Sequence, residues 1–345
     1  MKSRSLLIAM TVTVAAGHWM LAGAALPPPS KAPPQFDRAA MEAEVAVFNK
    51  KPDQPGTGPY PAIKEVDPTL PDHVIYRPKD LSALGKTKLG VLAWGNGGCA
   101  ADGAGARFHL AEIASHGYLA IASGKVLSGP GAPPQPARPA MPPPAPNAGA
   151  PGAPNGLPPG IPPAQTKASS LTEAINWALA ENTRKDSPYY GRIDPQQIAV
   201  SGWSCGGVQA IEVGSDPRVK TVIIHNSGLF EKGKSALAAM DIGKEALQKL
   251  HKPVIYIIGG PTDIAYPQAV DDFARINQIP IFVASTNKGH GGTFTEDNGG
   301  IAASVAVSWL DWRLRSDERA ARRFVGKDCG LCKDALWNVD SKNIK

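Results

Sequence analysis

One short stretch of this chain constrains its fold more than any other. Residues 198–207 read IAVSGWSCGG, an apolar run that ends in Gly-x-Ser-x-Gly and continues into small residues that can begin a helix. This order is typical of a strand, a sharp turn and a helix that together expose the central serine, Ser204. The glycines suit a tight, strained turn in which neighbouring Cβ atoms would collide. A chain of this length contains the pattern by chance about one time in ten, so its meaning depends on the flanking sequence.

The flanking sequence alternates buried strands with helices. Several short apolar runs do not alternate in polarity, which is typical of strands buried on both faces. Besides the run that ends before Ser204, the predicted strands are residues 73–78, 89–94, 118–122, 219–224, 253–258 and 280–284. The predicted helices are residues 36–48, 108–116, 169–179, 234–250, 267–276 and 301–324, and Ser170 with Glu173 fits a capping box. This alternation predicts a three-layer α/β fold with a mostly parallel central sheet.

The first 24 residues predict export. Lys2 and Arg4 precede an apolar run from Leu6 to Leu21, and the small residues 22–24 resemble a signal-peptidase site. The run is nearly long enough to cross a bilayer, so a retained anchor is the alternative. We interpret residues 1–24 as a cleaved signal peptide, which predicts a secreted or periplasmic protein with no stable membrane insertion after cleavage. In such a compartment, four cysteines are expected to form disulfides.

The rest of the chain divides by composition. Residues 25–70 form a Pro/Gly-rich arm, residues 71–326 the main domain, and residues 327–345 a tail that contains Cys-x-x-Cys. Residues 125–165 are so rich in proline, glycine and alanine that we predict a disordered insertion. Lengthening a loop from about 5 to about 40 residues costs roughly 1.8 kcal/mol of closure entropy, which a domain of this size can absorb.

Charge excludes one class of partner. The formal net charge is +6, and the leader contributes two of the positive charges, Lys2 and Arg4. The remaining charge of about +4 is too small to indicate a nucleic-acid partner. The arginines of the helix predicted over 301–324 are interpreted as a solvated face.

Three side chains that could perform nucleophilic chemistry each follow a predicted strand. Ser204 follows the strand that ends before it, Asp263 follows residues 253–258, and His290 follows residues 280–284. The carboxyl ends of parallel strands meet at one edge of the sheet. A serine hydroxyl needs an imidazole to accept its proton and a carboxylate to orient that imidazole. We therefore predict a Ser204, His290 and Asp263 triad, with Asp271 or Asp272 as alternative acids.

The Gly-rich segment after residue 94 is the candidate oxyanion hole. Residues 95–99 read GNGGC and directly follow the strand at 89–94. A second backbone donor from Asn96 or Gly97 would complement the N–H of Cys205, the residue after the serine. A plain Gly-rich turn is the alternative, whereas phosphate binding is disfavoured because neither of the usual phosphate-loop patterns is present. Trp94, Trp203 and His225 flank the site as pocket residues. For each tryptophan buried packing is an equal alternative, and for His225 the alternative is a second base.

These features resemble the α/β-hydrolase superfamily over about residues 71–326. The segments GWSCGG at 202–207, WGNGGC at 94–99 and EIASHGY at 112–118 are similar to the secreted polyester-hydrolase, cutinase-like and dienelactone-hydrolase-like branch. The resemblance implies an α/β-hydrolase fold, a hydrolytic triad on Ser204, Asp263 and His290, and no metal or organic cofactor. Two features depart from it: the insertion lies near the pocket mouth, and Cys205 stands where polyester hydrolases usually have methionine.

The same fold would bring Cys99 and Cys205 together. We predict a Cys99–Cys205 disulfide that holds the oxyanion loop to the nucleophile helix, with buried free thiols as the alternative. Cys329 and Cys332 predict a local disulfide in the tail. A redox pair and half of a zinc site are the alternatives, but neither has supporting sequence nearby.

The expected activity is cleavage of a carboxylic ester, either a small molecule or a polymer. A serine peptidase or an acyltransferase could use the same triad. A different class, a non-catalytic binding protein with a hydrolase fold, would use the Pro-rich insertion as its binding element.

Overall fold

The computed structural model describes residues 26–28, 38–134, 163–233 and 242–345. The predicted signal peptide lies outside these ranges. So do residues 135–162 of the predicted insertion and residues 234–241 of one predicted helix.

Within the described residues, one mostly parallel sheet of nine strands forms the centre of the protein. The strands are β1 (Ala62–Glu65), β2 (His73–Pro78), β3 (Leu89–Gly95), β4 (Tyr118–Ser123), β5 (Ile193–Trp203), β6 (Thr221–His225), β7 (Val254–Ile258), β8 (Ile281–Ser285) and β9 (Asn338–Lys342). Their order across the sheet is β1-β2-β4-β3-β5-β6-β7-β8-β9. The neighbours from β4 to β8 pair in parallel, whereas β1, β2 and β9 pair antiparallel. The predicted α/β class with a mostly parallel sheet is confirmed.

Helices cover both faces of this sheet. They are α1 (Arg38–Lys50), α2 (Arg107–Ser115), α3 (Ala168–Glu181), α4 (Cys205–Val213), α5 (Tyr266–Arg275), α6 (Gly300–Arg315), α7 (Glu318–Ala321) and α8 (Gly330–Lys333). Side chains on β3 alternate between two buried clusters: Val91 and Ala93 belong to the cluster that includes residues of α3, α4 and α5, whereas Leu92 and Trp94 belong to the one that includes residues of α2 and α6. All four are fully buried. A strand that is covered on both faces explains the continuous apolar runs in the sequence.

The sheet extends into the arm and the tail. Strand β1 of the arm pairs with β2, and β9 of the tail pairs with β8. Neither strand was predicted, because each is short and largely polar. Each lies at an edge of the sheet, where a strand needs few apolar side chains and so leaves only a weak hydrophobic pattern in the sequence. Both ends of the insertion pair with the main domain through their backbone. Lys125 forms an isolated β-bridge with Asp102, and the N–H of Gln165 donates to Cys99 O.

Three predictions about helices are wrong in detail. The helix predicted over 301–324 breaks at Ser316, whose φ is 57°, and Asp317 then accepts the N–H groups of Arg319 and Ala320 as the N-cap of α7. Helix α3 begins at Ala168, so Ser170 does not cap it and the capping box is not formed. The described part of the helix predicted over 234–250 is a 3-10 helix, Lys244–Lys249.

The arginines after residue 312 do not form one solvated face. The Arg313 guanidinium lies 3.3 Å from the centre of the Trp312 ring, and Arg315 donates to the carbonyls of His116 and Gly117. Arg323 donates to Ser304 O. These side chains attach α6 and α7 to their neighbours because a planar guanidinium can stack on a ring or donate to several acceptors.

Candidate active site

Ser204 occupies a strained turn between β5 and α4. Its φ of 53° and ψ of −118° lie outside the regions that residues with a side chain favour. Its N–H donates to His225 O on β6 at 3.0 Å, which anchors the turn to the next strand. A Cβ on Gly202 would lie 2.2 Å from Gly206 O, so the motif glycine is required by contact. The sharp turn therefore follows from the local sequence.

The structure brings the three predicted catalytic side chains into one chain of contacts. Nε2 of His290 lies 3.0 Å from Oγ of Ser204, and Nδ1 of His290 lies 2.7 Å from Oδ1 of Asp263. Asp263 is fully buried, and its carboxylate also accepts the N–H groups of Gly259 at 3.2 Å and Ala265 at 2.9 Å. These donors fix the carboxylate so that one oxygen faces the imidazole.

The alternative acids lie in a different network. Asp272 is buried and accepts from Lys244 Nζ at 2.7 Å and from the Tyr256 hydroxyl at 3.0 Å. Asp271 pairs with the same Lys244, at 2.7 Å, and with Arg275, at 3.0 Å. Asp263 is the acid that the structure pairs with His290.

The site forms where the strand order of the sheet reverses. From β3 the chain passes outward to β4 on one side and later to β5 on the other. Ligands of open α/β sheets bind in the crevice outside the carboxyl ends of the strands at such a reversal. Gly95 ends β3 and Trp203 ends β5, so the candidate oxyanion loop and Ser204 lie at this point.

The candidate oxyanion loop is pressed against the start of α4. A Cβ on Gly206 would lie 2.0 Å from Gly95 O, which leaves no space for a side chain between them. Asn96 is buried, and its Nδ2 donates to Ser123 O at 2.5 Å and to Ala100 O at 2.9 Å. The Asn96 side chain therefore holds the turn, and main-chain groups near Gly97 are the candidate donors to a ligand.

Both predicted disulfides are formed. Cys99 and Cys205 are bonded with their Cα atoms 5.2 Å apart, and Cys329 and Cys332 are bonded with their Cα atoms 4.9 Å apart. The Cys99 carbonyl accepts the N–H groups of Gln165 and Thr166, each at 2.9 Å. The first disulfide therefore joins the loop after β3 to the helix after Ser204, and the Cys99 carbonyl binds the end of the Pro-rich insertion.

The predicted pocket residues differ in their exposure. Trp203 is partly exposed, and its Nε1–H donates to His290 O at 2.9 Å. Trp94 and His225 are buried, with 0% and 1% of their surface exposed, and pack with His109 and Phe294. Trp94 is therefore a buried packing residue rather than a pocket residue. The prediction of His225 as a pocket residue is also wrong, because its side chain is buried behind the site.

Burial also determines the charge of the two histidines behind the site. It lowers the pKa of His109 to about 3 and lowers the pKa of His225 well below its usual value, where the nearby His109 acts in the same direction. Both rings are therefore neutral near pH 7.

Two residues that contact the site were missed by the sequence analysis. Asn226 and Ser227 follow β6 directly, and the Ser227 hydroxyl donates to Ser204 O at 2.6 Å. The Asn226 side chain donates to the main chain of the His290 loop. The position of both residues after a parallel strand is the signal that could have identified them.

Comparison with protein-family models and with curated proteins identifies no relative of this chain. Within the described ranges, no helix has the length and apolar character needed to cross a membrane. The same residues contain no group of three or more His, Cys, Asp or Glu side chains arranged to hold a metal ion.

Proposed function

We propose that this protein is a serine hydrolase of the α/β-hydrolase type that cleaves carboxylic esters. The observation that carries the proposal is the contact chain from Ser204 Oγ through the His290 ring to Asp263, at 3.0 Å and 2.7 Å. The strained turn at Ser204, between a strand and a helix, supports the same interpretation. The strand order and the pairing of β3 to β8 in parallel also suit this fold.

The proposed reaction has two halves. Ser204 Oγ attacks the ester carbonyl carbon while its proton passes to His290 Nε2, and Asp263 stabilises the imidazolium. The tetrahedral intermediate then loses its alcohol, which takes the proton from His290 as the carbon–oxygen bond breaks. Water attacks the resulting acyl-Ser204 ester and gives a proton to His290. That proton returns to Ser204 Oγ as the carboxylic acid leaves.

Charge on the tetrahedral intermediate would be stabilised at the start of α4. The Cys205 N–H is the proposed donor on the helix, and a main-chain N–H near Gly97 is the proposed second donor. The helix N-terminus directly after Ser204 adds a favourable partial positive charge. The Cys99–Cys205 disulfide supports this proposal because it ties the two donor segments together.

Export is part of the proposal. Two disulfides support it, since such bonds persist in oxidising compartments and are rare in the cytosol of most organisms. The chemical class of the substrate is a carboxylic ester, and its acyl and alcohol groups are left open.

The test replaces the nucleophile. We expect Ser204→Ala to lower kcat/KM for a short-chain p-nitrophenyl ester by about 10³-fold or more, because no other group would form the acyl intermediate. Covalent labelling by a fluorophosphonate should disappear in the same variant. The matched control is Ser215→Ala, because Ser215 is exposed and its hydroxyl donates to Glu212 O in a turn.

Two results would contradict the proposal. Fluorophosphonate labelling that persists in Ser204→Ala would remove Ser204 from its role. Folded wild-type protein that neither turns over a panel of acyl and aryl esters nor reacts with the fluorophosphonate would favour a non-catalytic binding protein.

A further inference from the structure

The loop that carries His290 is rich in glycine. It contains Gly289, Gly291 and Gly292, of which Gly289 and Gly292 have φ values of 68° and 60°. Glycine populates many backbone conformations, so such a loop has much conformational entropy to lose when it is ordered. Because a catalytic group must be held within about 0.5 Å of its productive position, contacts from outside a glycine-rich loop help to place the imidazole.

Asn226 supplies that support to the main chain of the loop. Its Nδ2 donates to Gly289 O at 2.9 Å and to His290 O at 2.7 Å. The Trp203 indole donates to the same His290 carbonyl at 2.9 Å. The carbonyl of His290 thus accepts from two donors, one at the end of β5 and one directly after the neighbouring strand β6.

Asn226 itself is firmly placed. It is 97% buried, its N–H donates to Ile257 O at 2.9 Å, and its φ is 42°, a conformation that asparagine tolerates better than most residues. Because it is buried, it lies behind the loop and acts through His290 rather than on a ligand. Trp203 is partly exposed and could contact a ligand directly, so a substitution of Asn226 tests the support of the loop more specifically.

The neighbours of Asn226 contact the main chain of the other reacting residue, Ser204. His225 O accepts the Ser204 N–H, and the Ser227 hydroxyl donates to Ser204 O. The end of β6 therefore contacts both the serine turn and the histidine loop. Residues 225–227 therefore link the two segments through hydrogen bonds.

We propose that Asn226 is a positioning residue whose amide group holds the His290 loop so that the imidazole bridges Asp263 and Ser204. This proposal rests on the proposed esterase function for its kinetic consequence, but its structural consequence is independent of any substrate.

The test removes the two donated hydrogen bonds without changing the shape of the side chain. In Asn226→Asp, a carboxylate oxygen replaces the amide nitrogen and faces two carbonyl oxygens that previously accepted hydrogen bonds. Asparagine and aspartate tolerate the same backbone conformation, so the main chain at this position need not change. We expect kcat for the p-nitrophenyl ester to fall about 10- to 100-fold with KM changed less than about threefold, because a misplaced general base weakens the transition state more than ground-state binding.

A second variant and a matched control separate positioning from folding. Asn226→Gly keeps the backbone conformation and removes the amide without adding a charge, so we expect a smaller fall in kcat in the same direction. Asn277→Asp makes the same chemical change at an exposed asparagine that donates to Ala274 O and Arg275 O. We expect it to retain wild-type kcat.

The independent measurement is the low-field proton resonance of the His290 Nδ1–H that faces Asp263, assigned by its absence in His290→Gln. We expect this resonance in wild type and Asn277→Asp, and its broadening or loss in both Asn226 variants. A resonance that persists unchanged in both folded Asn226 variants would overturn the proposal. If Ser204→Ala abolished neither turnover nor labelling, the esterase proposal would fail, while loss of the resonance in the Asn226 variants would still support the positioning role.

Discussion

His109 and His225 lie side by side behind the serine turn, with their ring centroids 4.8 Å apart. Neither ring nitrogen of His109 has a hydrogen-bond partner among the described residues. A buried ring without a partner strongly resists protonation because a charge there would be neither solvated nor paired. These histidines therefore make the stability of the fold depend on pH without taking part in the proposed reaction.

The pH dependence has a definite sign. The pKa of His109 is about 3 in the folded protein, against an ordinary value of 6.5, so the unfolded chain binds the proton first as pH falls. The free energy of unfolding should drop by about 2 kcal/mol between about pH 7 and pH 5 from this group, and His225 should add to the loss. Urea unfolding across this range measures it. His109→Phe should flatten the profile, whereas the exposed His251→Gln should leave it steep; equal slopes in all three proteins would refute the assignment.

Among the elements of the fold, the two disulfides differ in the length of chain that they close. Cys99–Cys205 joins the turn after β3 to α4 across 106 residues of sequence, whereas Cys329–Cys332 spans only three. Cross-linking residues that are distant in sequence removes more conformational freedom from the unfolded chain. The longer link also connects the two segments proposed to bind the oxyanion.

Removing each disulfide separately should reveal this difference. The double substitution Cys99→Ala with Cys205→Ala should lower the free energy of unfolding by about 3 kcal/mol more than Cys329→Ala with Cys332→Ala. Ester turnover should fall in the first double variant and persist in the second. Urea unfolding and kcat give the two readouts, and equal losses in both variants would show that the longer disulfide has no special role.

Across the whole molecule, Arg107 attaches the N-terminal arm, residues 25–70, to the main domain. This residue begins α2 and is 1% exposed, with its guanidinium 3.7 Å from the centre of the Phe48 ring. Its Nη2 donates to Phe48 O at 2.6 Å and to Lys51 O at 3.1 Å. A buried guanidinium with these partners ties α1 and the chain after it to the domain.

Replacing Arg107 should weaken this attachment. Arg107→Met keeps much of the apolar contact but leaves the carbonyls of Phe48 and Lys51 without their donor, at a cost of about 2–4 kcal/mol. Urea unfolding should show that loss, and limited proteolysis should cut residues 38–61 faster. The exposed Arg319→Met should change stability by less than about 0.5 kcal/mol. An unchanged unfolding midpoint in Arg107→Met would argue that the arm packs independently of this residue.

The sequence predicted the interior of the fold better than its edges. The strand at 73–78 is confirmed at both ends, and the strands at 89–94 and 118–122 each extend one residue further in the structure. Their apolar runs are long because both faces are covered. Strands β1 and β9 and the break at Ser316 were missed, because edge pairing and a local cap leave little periodic signal.

The α/β class and the placement of Ser204, Asp263 and His290 after three of the strands could be predicted from local pattern, because both strand burial and chain order leave a signal in the sequence. Two features became visible in three dimensions alone: Trp94 and His225 are buried behind the site, and Asn226 donates to a loop 64 residues further along the chain. The physical reason is that burial and hydrogen-bond partners arise between segments distant in sequence, where no local periodicity records which side chains will meet.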